Sequence, residues 1–217
     1  MNISNYIDHT LLKYDSSLKD VQKLCEEAME HGFKAVCIPP YFVKEAYRIL
    51  ENNPVEVCTV VGFPYGYHAT FVKVEELKRA IDEGAGEMDV VVNISAILSQ
   101  DWNYVANDIE SCTRATHLKG KTIKVILETG ALDEATIKRL CDICLESGVN
   151  FIKTSTGVNS SGAQADMVKM LKDYVNGKAL IKASGGIKTK AQALKMIESG
   201  ASRIGTSSGV AIVSKEK

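Results

Sequence analysis

Residues 122–155 hold one complete unit of a pattern that organises the whole chain. Thr122-Ile123-Lys124-Val125-Ile126-Leu127-Glu128 is a β-rich run. It is followed by Asp133-Glu134-Ala135-Thr136-Ile137-Lys138-Arg139-Leu140-Cys141-Asp142-Ile143-Cys144-Leu145, a break at Gly148, and a second run, Asn150-Phe151-Ile152-Lys153-Thr154-Ser155. Ile137, Leu140, Cys141, Cys144 and Leu145 fall at helical spacing and form one apolar stripe. The order is strand, helix, strand.

Outward from this unit the same order repeats. Strands are expected at Tyr6–Leu11, Ala35–Pro39, Val55–Gly62, Glu87–Asn93, Thr122–Glu128, Asn150–Ser155, Ala179–Ser184 and Ser202–Thr206. The first helix opens at Asp15-Ser16-Ser17, shows Leu18, Val21, Leu24, Cys25 and Ala28 on one face, and stops at Gly32. Further helices end at Gly84, Gly148, Gly177 and Gly200, each suited to a left-handed cap. Successive strands start about 28 residues apart, the size of one βα unit. Eight such units without a linker predict an α/β fold, a single (β/α)8 TIM barrel spanning residues 1–217 as one domain. An open doubly wound sheet would alternate in the same way, but no G-x-G-x-x-G follows an early strand.

Composition narrows the function classes. The chain has 217 residues, 45% hydrophobic and 24% charged, with a formal net charge of −1. That balance gives no electrostatic reason to expect nucleic acid or an anionic membrane as a partner. No run approaches the ~18 apolar residues of a membrane span. Met1–His9 lacks a basic start followed by an apolar stretch, so no secretory leader is expected and the cytoplasm is the default compartment. Cys25, Cys37, Cys58 and Cys112 stand singly among apolar neighbours, as buried thiols do. Cys141 and Cys144 make a C-x-x-C, but they share the apolar stripe of one helix, and no second pair completes a tetrahedral site. His9, His31, His68 and His117 are isolated, and only His9, beside Asp8 at a strand end, is placed to border a site. Neither metal nor cofactor is expected.

The strand ends point to chemistry. Asp8, Asp89, Asn93, Glu128, Lys153, Ser155, Lys182 and Ser184 all lie within or at the end of apolar runs. Strands of a parallel barrel are covered on both faces, so charges there are costly unless paired. Lys153 and Lys182 belong to neighbouring strands six and seven and should stand at similar height. At ~6 Å and an effective dielectric of ~20, two ammonium groups repel by about 2.8 kcal/mol. That repulsion and desolvation both favour the neutral amine a Schiff-base nucleophile needs. Asp89, on strand four, shares layer parity with strand six and can hold a lysine or a water during proton transfer. The same pattern also fits a structural Lys–Asp pair plugging the barrel.

Two glycine-rich turns follow strands seven and eight: Ser184-Gly185-Gly186 before a helix at Lys188-Thr189-Lys190-Ala191, and Gly205-Thr206-Ser207-Ser208-Gly209 before a short final helix. Glycines let backbone N–H groups approach an anion, and these two loops are where barrels commonly hold phosphate.

Taken together, these segments resemble the deoxyribose-phosphate aldolase family over nearly the whole chain. The resemblance runs through Ile7-Asp8-His9-Thr10-Leu11-Leu12-Lys13, Ala35-Val36-Cys37-Ile38, Val61-Gly62-Phe63-Pro64 and Glu87-Met88-Asp89-Val90-Val91-Val92-Asn93-Ile94. It continues through Lys124-Val125-Ile126-Leu127-Glu128-Thr129, Phe151-Ile152-Lys153-Thr154-Ser155-Thr156-Gly157, Ile181-Lys182-Ala183-Ser184-Gly185-Gly186-Ile187 and Arg203-Ile204-Gly205-Thr206-Ser207-Ser208-Gly209. It implies a metal-independent class I aldolase, a lyase that reversibly cleaves 2-deoxy-D-ribose 5-phosphate to acetaldehyde and D-glyceraldehyde 3-phosphate. By position, Lys153 would form the Schiff base, with Asp89 and Lys182 handling protons. Gly185, Gly186, Gly205, Ser207 and Ser208 would hold the phosphate, and Thr156 would lie near the substrate. Partners would be the sugar phosphate and small aldehydes, and barrels of this size often form homodimers or higher homo-oligomers.

The chain departs from the family pattern in places. Lys188 stands where the family often has arginine, and Val158 where some members carry a polar residue. The loops Ile38-Pro39-Pro40-Tyr41 and Pro64-Tyr65-Gly66-Tyr67-His68 are bulkier than usual. Two other readings remain: a Schiff-base barrel aldolase for another sugar phosphate, and a non-catalytic barrel that only binds one.

Overall fold

In the computed structural model residues 2–214 are described; Met1 and residues 215–217, the ends of the expected 1–217 domain, lie outside them. Eight parallel strands close into a barrel in sequence order. They are β1 (Ile7–Thr10), β2 (Ala35–Ile38), β3 (Glu56–Val61), β4 (Glu87–Val91), β5 (Thr122–Ile126), β6 (Phe151–Lys153), β7 (Leu180–Ser184) and β8 (Arg203–Thr206). Nine helices alternate with them among the described residues: α1 (Leu18–His31), α2 (Val43–Ile49), α3 (Thr70–Asp82), α4 (Ile94–Leu98), α5 (Trp102–His117), α6 (Glu134–Glu146), α7 (Ala165–Val175), α8 (Lys190–Glu198) and α9 (Gly209–Val213). None of them is long and apolar enough to cross a membrane.

The helix ends follow local chemistry. Ser17 caps α1 in a reciprocal box with Asp20, and Thr189 does the same for α8 with Gln192. Gly32 ends α1 in the left-handed conformation, φ 61°, where a side chain would be strained. The strands are shorter than the sequence suggests, because extended chain continues past the ladder with single bonds. Leu127 N–H donates to Lys153 O at 3.0 Å, and Thr154 N–H to Lys182 O at 3.0 Å. Glu128 then turns left-handed, φ 58°, and ends the fifth strand. Tyr6 lies before the first strand, in the 3-10 turn Ile3–Tyr6, whose N-cap Asn2 accepts from Ser4 N–H.

The two faces of each strand differ in kind. Outward residues such as Val36, Val57, Met88, Val90, Ile123, Val125, Ile152, Ile181 and Ile204 join the main apolar core under the helices. Cys141 and Cys144 of α6 belong to that core, and all six cysteines are free. The inward face carries Asp8, Cys58, Glu87, Asp89, Lys124, Lys153, Lys182 and Arg203 in mutual contact. The β2–β3 side is apolar inside, with Ala35, Cys37, Cys58 and Val60 packed with Leu12 and Phe63. The barrel is filled by an ionic network.

Candidate active site

Strand register sets the site's geometry. Lys153 and Lys182 are direct partners across β6 and β7, as are Asp89 and Lys124 across β4 and β5. Asp89 sits at the centre. Its Oδ2 accepts from Lys153 Nζ at 2.7 Å and from Lys182 Nζ at 2.7 Å, and its Oδ1 accepts from Lys124 Nζ at 2.9 Å. The Cys58 thiol donates to the same Oδ1 at 3.2 Å. The two lysines thus do not face each other bare, because one carboxylate oxygen bridges them.

A second layer lies deeper. Lys182 also donates to Asp8, which in turn accepts from Arg203. Arg203 reaches Glu87 Oε1 at 2.6 Å, and Lys124 reaches Glu87 Oε2 at 2.7 Å. Four cationic side chains (Lys124, Lys153, Lys182, Arg203) face three carboxylates (Asp8, Glu87, Asp89), so the cluster carries one positive charge in excess.

Burial and charge oppose each other at every member. Burial alone would raise the Asp89 carboxyl, but the ammonium groups of Lys124, Lys153 and Lys182 outweigh it and hold it well below the carboxylate range. Asp8, likewise buried, is brought down to about 2 by Lys182 and Arg203. Lys182 would lose its proton more readily on burial, yet Asp8 and Asp89 push it above the ordinary lysine range. Lys124 behaves the same way, raised by Asp89, Cys58 and Glu87 against its burial. Lys182 and Lys124 are therefore fixed cations at neutral pH.

Above the cluster, at the C-terminal ends of the strands, lies a cavity of about 1050 Å³. Lys153 lines it, whereas Lys124, Lys182 and Asp89 do not. Thr156, Gly185, Gly186, Gly205 and Ser207 also line it, with Lys13, Val158 and Lys188. Ser208 does not, and its N–H donates to Thr206 Oγ1 at 2.9 Å. The loop after β6 is anchored by Glu128, which accepts from Thr156 Oγ1 at 2.5 Å and from Ser160 Oγ at 2.6 Å. Gly185, φ 91°, packs so closely on Gly162 that a Cβ would meet its Cα at 2.8 Å. Gly205 makes room for its strand partner, since a Cβ there would stand 2.9 Å from Ser184 Cβ and 3.2 Å from Lys182 Cε.

Residues 3–215 match the sequence profile of the DeoC/LacD family aldolases. The chain belongs to that family. A deoxyribose-phosphate aldolase of Finegoldia magna is 47% identical over 98% of this chain and 99% of its own, and one of Thermococcus kodakarensis is 47% identical over 97% and 95%. Among solved structures, an aldolase designated QR15 superposes with a TM-score of 0.92 at 41% identity, over 97% of this chain and 94% of the other. The deoxyribose phosphate aldolase of Aeropyrum pernix, described as having a unique tetrameric structure, superposes at 0.91 with 32% identity, over 97% and 89%.

In this aldolase the structure brings Lys153, Asp89 and Lys182 together, as their strand positions suggested. Several sequence readings need correction. His9 turns away from the barrel interior: its Nε2 pairs with Glu27 at 2.7 Å and its ring packs on Phe33, because Asp8 takes the inward position of β1. Cys37 and Cys58 are buried free thiols in an apolar cluster, as expected, but they do not stand singly. They are direct partners across β2 and β3 and reach Asp89 from the side. Asn93 caps α4 through Ala96 N–H at 3.1 Å. Lys124, Glu87 and Arg203 were given no part by the sequence, although each is a charge in an apolar strand.

Proposed function

We propose that this aldolase reversibly cleaves 2-deoxy-D-ribose 5-phosphate to acetaldehyde and D-glyceraldehyde 3-phosphate through an imine on Lys153. The observation that carries the assignment is that Lys153 is the one amine of the buried network that lines the mouth cavity. It is also the least tied, with Asp89 as its only carboxylate partner, whereas Lys182 and Lys124 each hold two or more. The network's single excess positive charge lets one amine become neutral without leaving an unpaired carboxylate behind.

The open-chain aldehyde adds to the neutral amine, and the resulting carbinolamine loses water to give a cationic imine. The C3 hydroxyl gives its proton to a base, for which a water held between Asp89 and Lys182 is the candidate. The C2–C3 bond then breaks, its electrons pass to the imine nitrogen, and D-glyceraldehyde 3-phosphate departs. The enamine left on Lys153 takes a proton at carbon, and hydrolysis releases acetaldehyde. Lys182, a fixed cation beside the nascent imine, and Asp89, a fixed anion, hold the field steady while the proton moves.

Gly185, Gly186, Gly205, Ser207 and Ser208 are proposed to hold the phosphate, with Lys188 supplying charge from the rim and Thr156 beside the sugar. Residues 1–217 are read as one domain, supported by the pairing of β1 with β8 across the chain's ends. A homo-oligomer is proposed on the tetrameric relative. A reducing cytoplasm is proposed on six unpaired thiols.

Borohydride reduction in the presence of acetaldehyde tests the core of this reading. One ethyl adduct on Lys153 with loss of activity is expected, without added metal. Labelling chiefly at another lysine, or inactivation by a chelator, overturns it.

A further inference from the structure

The network beside the nucleophile contains two thiols that the chemistry above does not use. Cys37 and Cys58 face each other across β2 and β3, fully buried, on the inward side of the barrel. Cys58 Sγ lies 3.2 Å from Asp89 Oδ1, and Cys37 Sγ lies 4.0 Å from Asp89 Oδ2. Ligand atoms from all three residues fall within 4.8 Å of one another. Metal bonds of about 2.3 Å to sulfur and about 2.1 Å to oxygen put the edges of a tetrahedral site at about 3.6 Å, so small side-chain adjustments close this triangle on one ion.

We propose that Cys37, Cys58 and Asp89 form a binding site for a soft divalent cation such as Zn²⁺ or Cd²⁺, and that occupancy switches the aldolase off. Two thiolates and one carboxylate select a thiophilic ion over Mg²⁺ or Ca²⁺. The charge balance is neutral: the dication enters, and two thiol protons leave to solvent. Val60, the strand partner of Asp89, and Lys153, which bonds it, both line the mouth cavity, so the site adjoins the nucleophile. A metal on Asp89 takes the oxygens that now accept from Lys124, Lys153 and Lys182. A second triplet, Asp8, Cys58 and Glu87, shares only Cys58 and offers a single thiol. Dependence on Cys37 therefore separates the two.

The loss of activity rests on the role proposed for Asp89, but metal binding does not, and the experiment reads both. The intact enzyme is titrated with CdCl₂ at neutral pH while thiolate-to-cadmium charge-transfer absorption and deoxyribose 5-phosphate cleavage are followed together. One Cd²⁺ per chain is expected, with the absorption rising as activity falls and both reversed by EDTA. Cys37→Ser and Cys58→Ser, each compared with its own metal-free rate, should lose the absorption and tolerate Cd²⁺. Absence of the absorption in the parent enzyme overturns the proposal, and so does its persistence in Cys37→Ser, which would place the ion elsewhere. Full absorption without loss of activity would keep the metal site but overturn the switch, and would count against Asp89 in catalysis.

Discussion

Lys182 and Lys153 are adjacent on their strands, share one oxygen of Asp89, and yet differ in what holds them. Lys182 is locked between Asp8 and Asp89 in full burial, while Lys153 has one carboxylate and an open cavity above it. Removing the charge of Lys182 should therefore act on Lys153. In Lys182→Leu the remaining cations only match the carboxylates, so neutralising Lys153 leaves a buried anion uncompensated. We expect kcat to fall by about 100-fold or more, and residual imine formation, read by borohydride trapping, to require higher pH. A folded variant with parent activity and an unshifted pH profile would reduce Lys182 to a structural plug. The sequence revealed this pair because a lysine near the end of an apolar parallel strand is too costly to keep without a buried partner or a chemical task. It hid Glu87 and Arg203, which are the first residues of β4 and β8, where a charge reads as strand edge. Only the tilt of closed strands turns such positions into the barrel floor. Cys37 and Cys58 were hidden for a different reason, since a thiol in a strand looks the same whether it faces helix or barrel.

The glycine-rich loops after β7 and β8 were readable as a pair, but their individual glycines do different things. Gly185 permits loop-on-loop contact with Gly162, and Gly205 clears space for Ser184 and Lys182, so neither is explained by an anion alone. Ser207 is the better probe of phosphate binding: it lines the cavity and needs no special backbone, whereas Gly186 has φ 77° and any side chain there is strained. Ser207→Asp should raise KM for 2-deoxyribose 5-phosphate strongly and barely change cleavage of 2-deoxyribose, because only the former brings an anion to be repelled. Inorganic phosphate should compete with the phosphorylated sugar in the parent and less so in the variant. Equal losses on both sugars would mean that these loops only support the fold. Strand and helix identities came through well because period-2 and period-3.6 patterns are separate and the caps are strong. Strand ends did not, since extended backbone runs beyond the ladder and only the hydrogen bonds mark where it stops.

At the scale of the molecule, the ionic network also closes the barrel. Asp8 of β1 accepts from Lys182 of β7 and from Arg203 of β8, so the first strand is tied to the last two by charge as well as by backbone pairing. This makes the fold sensitive to acid. A carboxyl whose pKa is depressed in the folded state stabilises the protein fully above its unfolded pKa, and that contribution is lost as pH falls through the folded value. Asp8 moves from 3.8 to about 2, which corresponds to about 2 kcal/mol. Asp89, buried yet held down by Lys124, Lys153 and Lys182, and Glu87, buried yet held down by Lys124 and Arg203, shift in the same direction. Stability should thus be nearly flat from pH 7 to about 5 and fall steeply between about 4 and 2. Exposed pairs such as Lys78–Glu75 add little to that slope. Thermal melts across this range check the expectation, and Asp8→Asn assigns it. At neutral pH the variant should lose about 3–5 kcal/mol, because Lys182 and Arg203 are left short of a buried partner. Below pH 4 its stability should decline less steeply than the parent's, since the group that titrates is gone. An identical acid slope in Asp8→Asn would mean that the barrel seam is held by backbone pairing and packing, and that Asp8 serves the active site alone.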